Sequence, residues 1–379
     1  MSIKEKSAAP TKLIHCIVGA RPNFVKIAPI MKALEFHPEV KVNLIHTGQH
    51  YDHKMSEAFF EDLEIPKPDR HLNVGSGSHA VQTARIMESY EQVILSDKPD
   101  LVLVVGDVNS TMACSIVAAK ELVPVIHVEA GLRSGDRTMP EEINRIVTDA
   151  LASYLFTSCQ DGEDHLLREG VAPEKIHFVG NVMIDTLVDS LPLAAPKQMA
   201  DKLDLEGKRY AVATIHRPSN VDDAAGFERI LSILEAIGEI IPIVFPIHPR
   251  TQGRAEALDL ADRLRACPGL ILSPPLAYLE FVDLLRTARL VLTDSGGIQE
   301  ETSVLGIHCL TLRDNTERPI TIKMGSNHLV GTDPGQVIEK AKELLAGDRP
   351  KQHCQIPLWD GFASERVANL IVKICRGEI

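Results

Sequence analysis

Several carboxylates stand directly behind short apolar runs. Asp107 follows the run 101–105 and a glycine, Glu129 closes the run 125–128, and Glu141 comes directly after Pro140. Acids grouped in this way form an acid/base cluster, because repulsion between like charges lifts one pKa toward neutrality while another group stays ionised. Each also has a structural reading. Asp107 taken alone is more simply the cap of a following helix. Glu129 is costly to bury unpaired, so either Arg133 neutralises it or a site uses it. Glu141 suits a helix start through the dipole alone. His216, behind the run 210–215, reads equally as an acid/base group, a phosphate donor or a satisfied structural histidine. His248, behind the run 243–247, is more simply a turn residue.

Two other segments are built for anions. Gly19-Ala20-Arg21-Pro22-Asn23-Phe24-Val25-Lys26 runs from a strand into a helix, so that a helix N-terminus, Arg21 and Lys26 offer positive potential to phosphate. Two solvated cations beside a tight turn read equally well. The sharper segment is Thr293-Asp294-Ser295-Gly296-Gly297, followed at once by a helix. Its backbone N–H groups and the Ser295 hydroxyl make a cradle that fits a diphosphate. Glu301, one turn further on, is placed for ribose hydroxyls, or is a plain helix N-terminal carboxylate. Arg318 reaches the same region from the loop 312–319. No GxGxxG and no GxxxxGK[ST] occurs, which argues against a dinucleotide or Walker-type site.

These residues need strands to present them. Apolar runs at 13–18, 40–46, 101–105, 125–128, 154–156 and 176–179 alternate with amphipathic stretches such as 25–36, the pattern of βαβ units on a parallel sheet. After a Pro-containing, weakly patterned stretch at 191–207 the alternation restarts, with runs at 210–215, 243–247, 270–272, 290–292 and 308–312 and helical patterns at 227–237 and 278–287. The expected fold is α/β, with two Rossmann-like domains whose parallel sheets face a central cleft. Residues 1–190 carry the carboxylates, residues 191–362 the anion cradle, and a helix in 363–379 packs back on the first domain. Ligands of such sheets bind beyond the carboxyl ends of the strands.

With 379 residues the chain exceeds what one core organises. Its 44% apolar and 24% charged composition is that of a globular protein. A net charge of −12 argues against nucleic acid as a partner. The seven cysteines form no CxxC pair or zinc spacing, so reduced thiols and no metal are expected. A polar N-terminus and the lack of a long apolar stretch point to a cytoplasmic protein without a membrane partner.

The motifs GARPNFVKIAPI, TGQHYD, GDVNST, HVEAGLRS, PEEINR, DSGGIQEE and NTERP, in that order over about residues 13–319, resemble the non-hydrolysing UDP-N-acetylglucosamine 2-epimerases. The resemblance implies the two-domain fold of the phosphorylase-like glycosyltransferases (GT-B type) and a homodimer. It implies catalytic roles for Asp107, Glu129, Glu141 and His216. It puts Arg21, Lys26, Ser295, Glu301 and Arg318 on UDP, and Phe281 against uracil. Leu276 stands where some relatives use a polar uracil contact, Pro218 where many carry a second arginine, and Tyr51-Asp52 where a second, regulatory sugar nucleotide is contacted in the best-known members. These departures bear on base recognition and on regulation.

The implied reaction is inversion at C2 of a UDP-N-acetylhexosamine. That C2 proton is not beside a carbonyl, so UDP leaves first to give a 2-acetamidoglucal and then re-adds, with carboxylates moving the protons and no cofactor. The alternatives are the same chemistry on a diacetamido-uronic acid or 6-deoxy sugar, a glycosyltransferase, or a UDP-sugar-binding regulator.

Overall fold

The computed structural model describes residues 11–49, 63–347 and 355–379, with only the backbone of Arg21. Tyr51 and Asp52 lie outside the described residues. The chain folds into two compact units, Met1–Leu132 with Arg137–Thr186 and Asp360–Ile379, and Arg133–Asp136 with Leu187–Trp359.

In the first unit the apolar runs become β1 (Lys12–Val18), β2 (Val40–His46), β4 (Leu101–Val105), β5 (Val125–Ala130), β6 (Tyr154–Thr157) and β7 (Ile176–Phe178), and a short polar strand, β3 (Arg70–His71), joins them. They form one parallel sheet in the order β3-β2-β1-β4-β5-β6-β7. Between them run α1 (Arg21–Leu34), α2 (His79–Asp97), α3 (Asn109–Lys120), α4 (Pro140–Leu151) and α5 (Gln160–Arg168), and α6 (Val182–Ala194) follows β7, its first turn in the first unit and its remainder in the second. Helix α2 shows how pattern makes structure: Ser78 caps its start by accepting from the Val81 N–H, and Gln82, Ile86, Tyr90 and Ile94 recur every fourth residue on its buried face. Apolar clusters cover both faces of the sheet, so β4 is buried along its whole length.

The second unit repeats the plan with β8 (Ala211–Thr214), α7 (Pro218–Val221), α8 (Ala224–Gly238), β9 (Ile243–Pro246), α9 (Pro249–Ala257), β10 (Leu270–Ser273), α10 (Tyr278–Thr287), β11 (Leu290–Thr293), α11 (Gly296–Leu305), β12 (His308–Thr311), α12 (Pro319–Lys323), β13 (Asn327–Leu329) and α13 (Pro334–Ala346). Its six parallel strands take the order β10-β9-β8-β11-β12-β13. Strands β3 and β13 are two and three residues long and form sheet edges, too short for any periodicity to announce them. The stretch expected as a connection is largely helical, and Met199 and Leu205 join the core of the second unit.

The last helix, α14 (Ala363–Cys375), belongs to the first unit. Val367, Ala368 and Ile371 pack with Phe24, Ile27 and Leu34 of α1. Asp185 of α6 caps it from outside, accepting from the Ala363 N–H at 3.1 Å and the Ser364 N–H at 2.6 Å. A carboxylate on two orphan N–H groups at the positive end of a helix is a favourable pairing.

In each sheet the strand order reverses beside the first strand, between β1 and β4 and between β8 and β11. That switch point is where adjoining loops splay apart and leave a crevice. Among the described residues no helix is long and apolar enough to cross a membrane.

Candidate functional site

The switch point of the first unit brings together two of the three predicted carboxylates, Asp107 and Glu129. Asn23, one turn into α1, accepts from the Gly19 and Ala20 N–H groups at 3.1 and 3.0 Å and donates to the Val105 carbonyl at 2.9 Å, which staples the loops after β1 and β4 together. Gly19 is required for packing: a Cβ there would lie 2.1 Å from Ser110 Oγ, so the side-chain space is taken by α3 before any ligand could use it.

Glu129 sits near the end of β5 with φ of 73°, in the left-handed region that a non-glycine residue holds only under constraint. The register of β5 against β6 shifts at this point, between Val128 and Ala130. The turn delivers the Glu129 carboxylate to the Lys26 ammonium in a close ion pair, both residues being buried. Lys26, read from sequence as a phosphate ligand, is thus placed on a carboxylate. Gly106, with φ of 66°, lies against the same pair, since a Cβ on it would be 2.9 Å from Lys26 Nζ and 3.3 Å from Glu129 Oε2.

Asp107, next to that glycine, does not cap α3. The cap position is Val108, with no side-chain bond, and the Asp107 carboxylate instead accepts from Arg145 Nη1 at 2.5 Å. Arg145 is buried and also donates to Glu142 Oε2 through Nε and Nη2, at 3.0 and 2.6 Å. Asn144 Nδ2 holds the Asp107 carbonyl at 2.9 Å. Of the two glutamates that begin α4, Glu142 turns inward to Arg145 while Glu141 is exposed. The first unit therefore brings Asp107 and Glu129 into one loop cluster, each on its own cation, with Glu141 on the accessible first turn of α4.

In the second unit Asp294 organises the switch point. Fully buried, it accepts from the His216 N–H at 2.9 Å, the Arg217 N–H at 2.8 Å and Asn220 Nδ2 at 3.0 Å. The His216 ring is partly exposed, and its Nδ1 lies 3.2 Å from Asp294 Oδ1. His248 caps α9 by accepting from the Arg250 N–H, and its ring stands 5.3 Å from that of His216. The weaker histidine of the sequence is thus a neighbour of the stronger one.

The Ser295-Gly296-Gly297 turn opens α11 as expected, with Ser295 at the cap position and its hydroxyl making no capping bond. Gly296 has no room for a side chain, because a Cβ would stand 2.5 Å from Glu317 Oε1. Burial pushes the Glu317 carboxyl up, but the Arg318, Arg313 and Arg217 guanidiniums outweigh it and hold the group well below the usual carboxylate range. Arg318 is buried and pairs with Glu300 at 2.6 Å. Glu301 is buried, accepts from the Tyr278 hydroxyl at 3.2 Å, and is pushed up to about 7 by desolvation. Phe281, half-buried on α10, packs with Leu276 and Ile298 against the core cluster that includes Leu284, Leu285 and Val291.

Sequence reasoning passed over Arg145, Asn144, Glu142, Asp294, Tyr278 and Glu317. The Glu142–Arg145 spacing of three on a helix was a readable signal. The partners of Asp294, and Arg217 at Glu317, come from distant loops and left none, whereas Arg313 and Arg318 stand within four residues of Glu317 in the same loop. Among the described residues no group of His, Cys, Asp and Glu side chains is arranged to hold a metal ion.

A family model described as UDP-N-acetylglucosamine 2-epimerase matches residues 32–372. The chain is 42% identical over 367 residues to UDP-N-acetylglucosamine 2-epimerase of Methanocaldococcus jannaschii, an alignment spanning 94% of this chain and 98% of that one. It is 41% identical over 368 residues, covering 95% and 99% of the two chains, to UDP-2,3-diacetamido-2,3-dideoxy-D-glucuronate 2-epimerase of Pseudomonas aeruginosa. Among solved structures, that of the M. jannaschii UDP-GlcNAc 2-epimerase in complex with UDP-GlcNAc and UDP superposes with a TM-score of 0.87 at 41% identity, covering 95% of this chain and 99% of the other.

Proposed function

This chain belongs to the UDP-N-acetylglucosamine 2-epimerase family, and from that premise we propose that it interconverts UDP-N-acetylglucosamine and UDP-N-acetylmannosamine by eliminating and re-adding UDP. The observation that carries the reading is the loop cluster of Asp107 on Arg145 and Glu129 on Lys26, at the switch point of a parallel sheet. A transferase or a binding protein has no need of paired acids at the sugar.

One carboxylate among Asp107, Glu129 and Glu141 takes the C2 proton while the C1–oxygen bond breaks and its electron pair leaves with UDP, forming the C1=C2 bond of the glycal. In the return step the UDP oxygen attacks C1, and a second carboxylate protonates C2 from the opposite face. The second unit takes the nucleotide. The N–H groups of Gly296 and Gly297 and the Ser295 hydroxyl receive the diphosphate, His216 stabilises its charge as it departs, Glu301 accepts from the ribose and Phe281 lies against uracil. Arg21 and the Glu300-braced Arg318 add positive potential for the phosphates, while Lys26 holds the Glu129 carboxylate.

The deciding experiment incubates the protein with UDP-N-acetylglucosamine in deuterated water and follows C2 by NMR. Deuterium at C2 together with a UDP-N-acetylmannosamine product is expected. Release of free N-acetylmannosamine would mark a hydrolysing enzyme, and absence of exchange would overturn the reading. The likeness to the diacetamido-glucuronate enzyme supports a second reading, the same chemistry on that sugar. It predicts a higher kcat/KM for the UDP-diacetamido-uronate in a side-by-side assay.

A further inference from the structure

We propose that His127 and Asp149 are a buried positioning pair that clamps the backbone on either side of Asp107 and Glu129. The proposal rests on the reading that these carboxylates move the protons of the reaction.

His127 lies in the middle of β5, fully buried between apolar neighbours, where a polar side chain is unfavourable unless every polar atom is satisfied. Its Nε2 is 2.8 Å from the carbonyl of Gly106, the residue before Asp107. Its Nδ1 is 2.6 Å from Asp149 Oδ1, and Asp149 Oδ2 accepts from the N–H of Gly131, two residues after Glu129, at 3.1 Å. One side-chain pair thus reaches both turns from which the candidate acids project. These turns need holding. Gly106, Glu129 and Gly131 all have positive φ, at 66°, 73° and 79°. Gly131 is wedged further, since a Cβ on it would stand 2.3 Å from the Gly162 carbonyl, and its own carbonyl meets His165 Nδ1 at 2.9 Å.

The protons follow from the partners. A carbonyl only accepts, so His127 Nε2 carries hydrogen, and the Gly131 N–H occupies Asp149 Oδ2. One further proton bridges Nδ1 and Oδ1. The linkage is directional, and the role it predicts differs from that of a buried polar pair retained only for stability.

Substitutions separate its two halves. A glutamine in place of His127 carries an amide N–H to the position of Nε2 and keeps the Gly106 bond. An asparagine reaches only the position of Nδ1 and keeps the Asp149 bond. Likewise Asp149→Asn still accepts from Gly131 and donates to His127 Nδ1, whereas Asp149→Ala breaks both contacts. The expected result is a kcat loss of about 100-fold in Asp149→Ala, the scale of an ångström-sized misplacement of catalytic groups, with KM within about threefold. Asp149→Asn should recover at least about tenfold of that loss, and His127→Gln should exceed His127→Asn by a similar factor. Amide hydrogen exchange at Gly131 is read on the same proteins, and should be protected in wild type and Asp149→Asn and fast in Asp149→Ala. Equal turnover of the two Asp149 variants, or His127→Asn matching His127→Gln, overturns the proposal while wild-type activity leaves the function standing. Wild type without C2 exchange but with the Gly131 protection pattern intact overturns the function and, with it, the catalytic purpose of the clamp.

Discussion

Asp294 and His216 meet at the carboxyl ends of neighbouring strands β11 and β8, with Asp294 Oδ1 3.2 Å from His216 Nδ1. The same carboxylate holds the backbone N–H groups of His216 and Arg217. It therefore sets both the position of the histidine and the nitrogen that faces inward, leaving Nε2 for a ligand.

The two residues should respond differently to removal. Asp294→Ala strands buried donors, at about 1–3 kcal/mol for a lost acceptor, and should lower both Tm and kcat. His216→Ala, at a half-exposed ring, should change stability by less than about 0.5 kcal/mol while kcat falls. Thermal unfolding and initial rates on the two variants check this, and an equal Tm loss in both would contradict the assignment.

Glu129→Gln keeps a carbonyl oxygen for Lys26 but removes a carboxylate proposed to move a proton. Turnover should drop by at least about 100-fold, the usual scale for losing a general acid or base. UDP binding, followed by calorimetry, should be retained. Unchanged turnover would take Glu129 out of the mechanism.

Glu301 gives the protein a pH signature. Its folded pKa of about 7 lies above the ordinary value of 4.5. Its contribution to stability is therefore fully present below pH 4.5 and is lost as pH rises to about 7, where it levels off. Glu301→Gln removes that loss. In urea unfolding the variant should exceed wild type by up to about 3 kcal/mol at pH 8 and match it near pH 4. A variant less stable than wild type at pH 8 would contradict this.

At Gly296 the expected effect is on ligand. A methyl group would displace Glu317, which three arginines hold and which has little freedom to retreat. Gly296→Ala should weaken UDP binding by about tenfold or more, roughly 1.4 kcal/mol, through a distorted cradle. Calorimetric titration with UDP reads it, and wild-type affinity would show that the turn does not receive the diphosphate.

Much of the architecture was readable from local pattern. Runs such as 101–105 and 290–292 are too short and too uniformly apolar to be surface elements, and each is a strand covered on both faces. The positions of Asp107, Glu129, His216 and Ser295 followed from the same rule, since each lies within three residues of the end of such a run. Their partners did not. Asp107 resembled a cap and is held by Arg145, which lies 38 residues later. Lys26 resembled a phosphate ligand and sits on Glu129, 103 residues away.

What the sequence determined by itself is therefore periodic and local: alternating strands and helices in two sets, the turns that follow each strand, and an ordered series of motifs that marks the family. What the tertiary structure alone decided is which charge meets which. An ion pair depends on strand order, on helix facing and on the few left-handed residues that swing a carboxylate into place, as at Glu129. Those depend on how the whole sheet closes around its core, and no window of neighbouring residues contains that information.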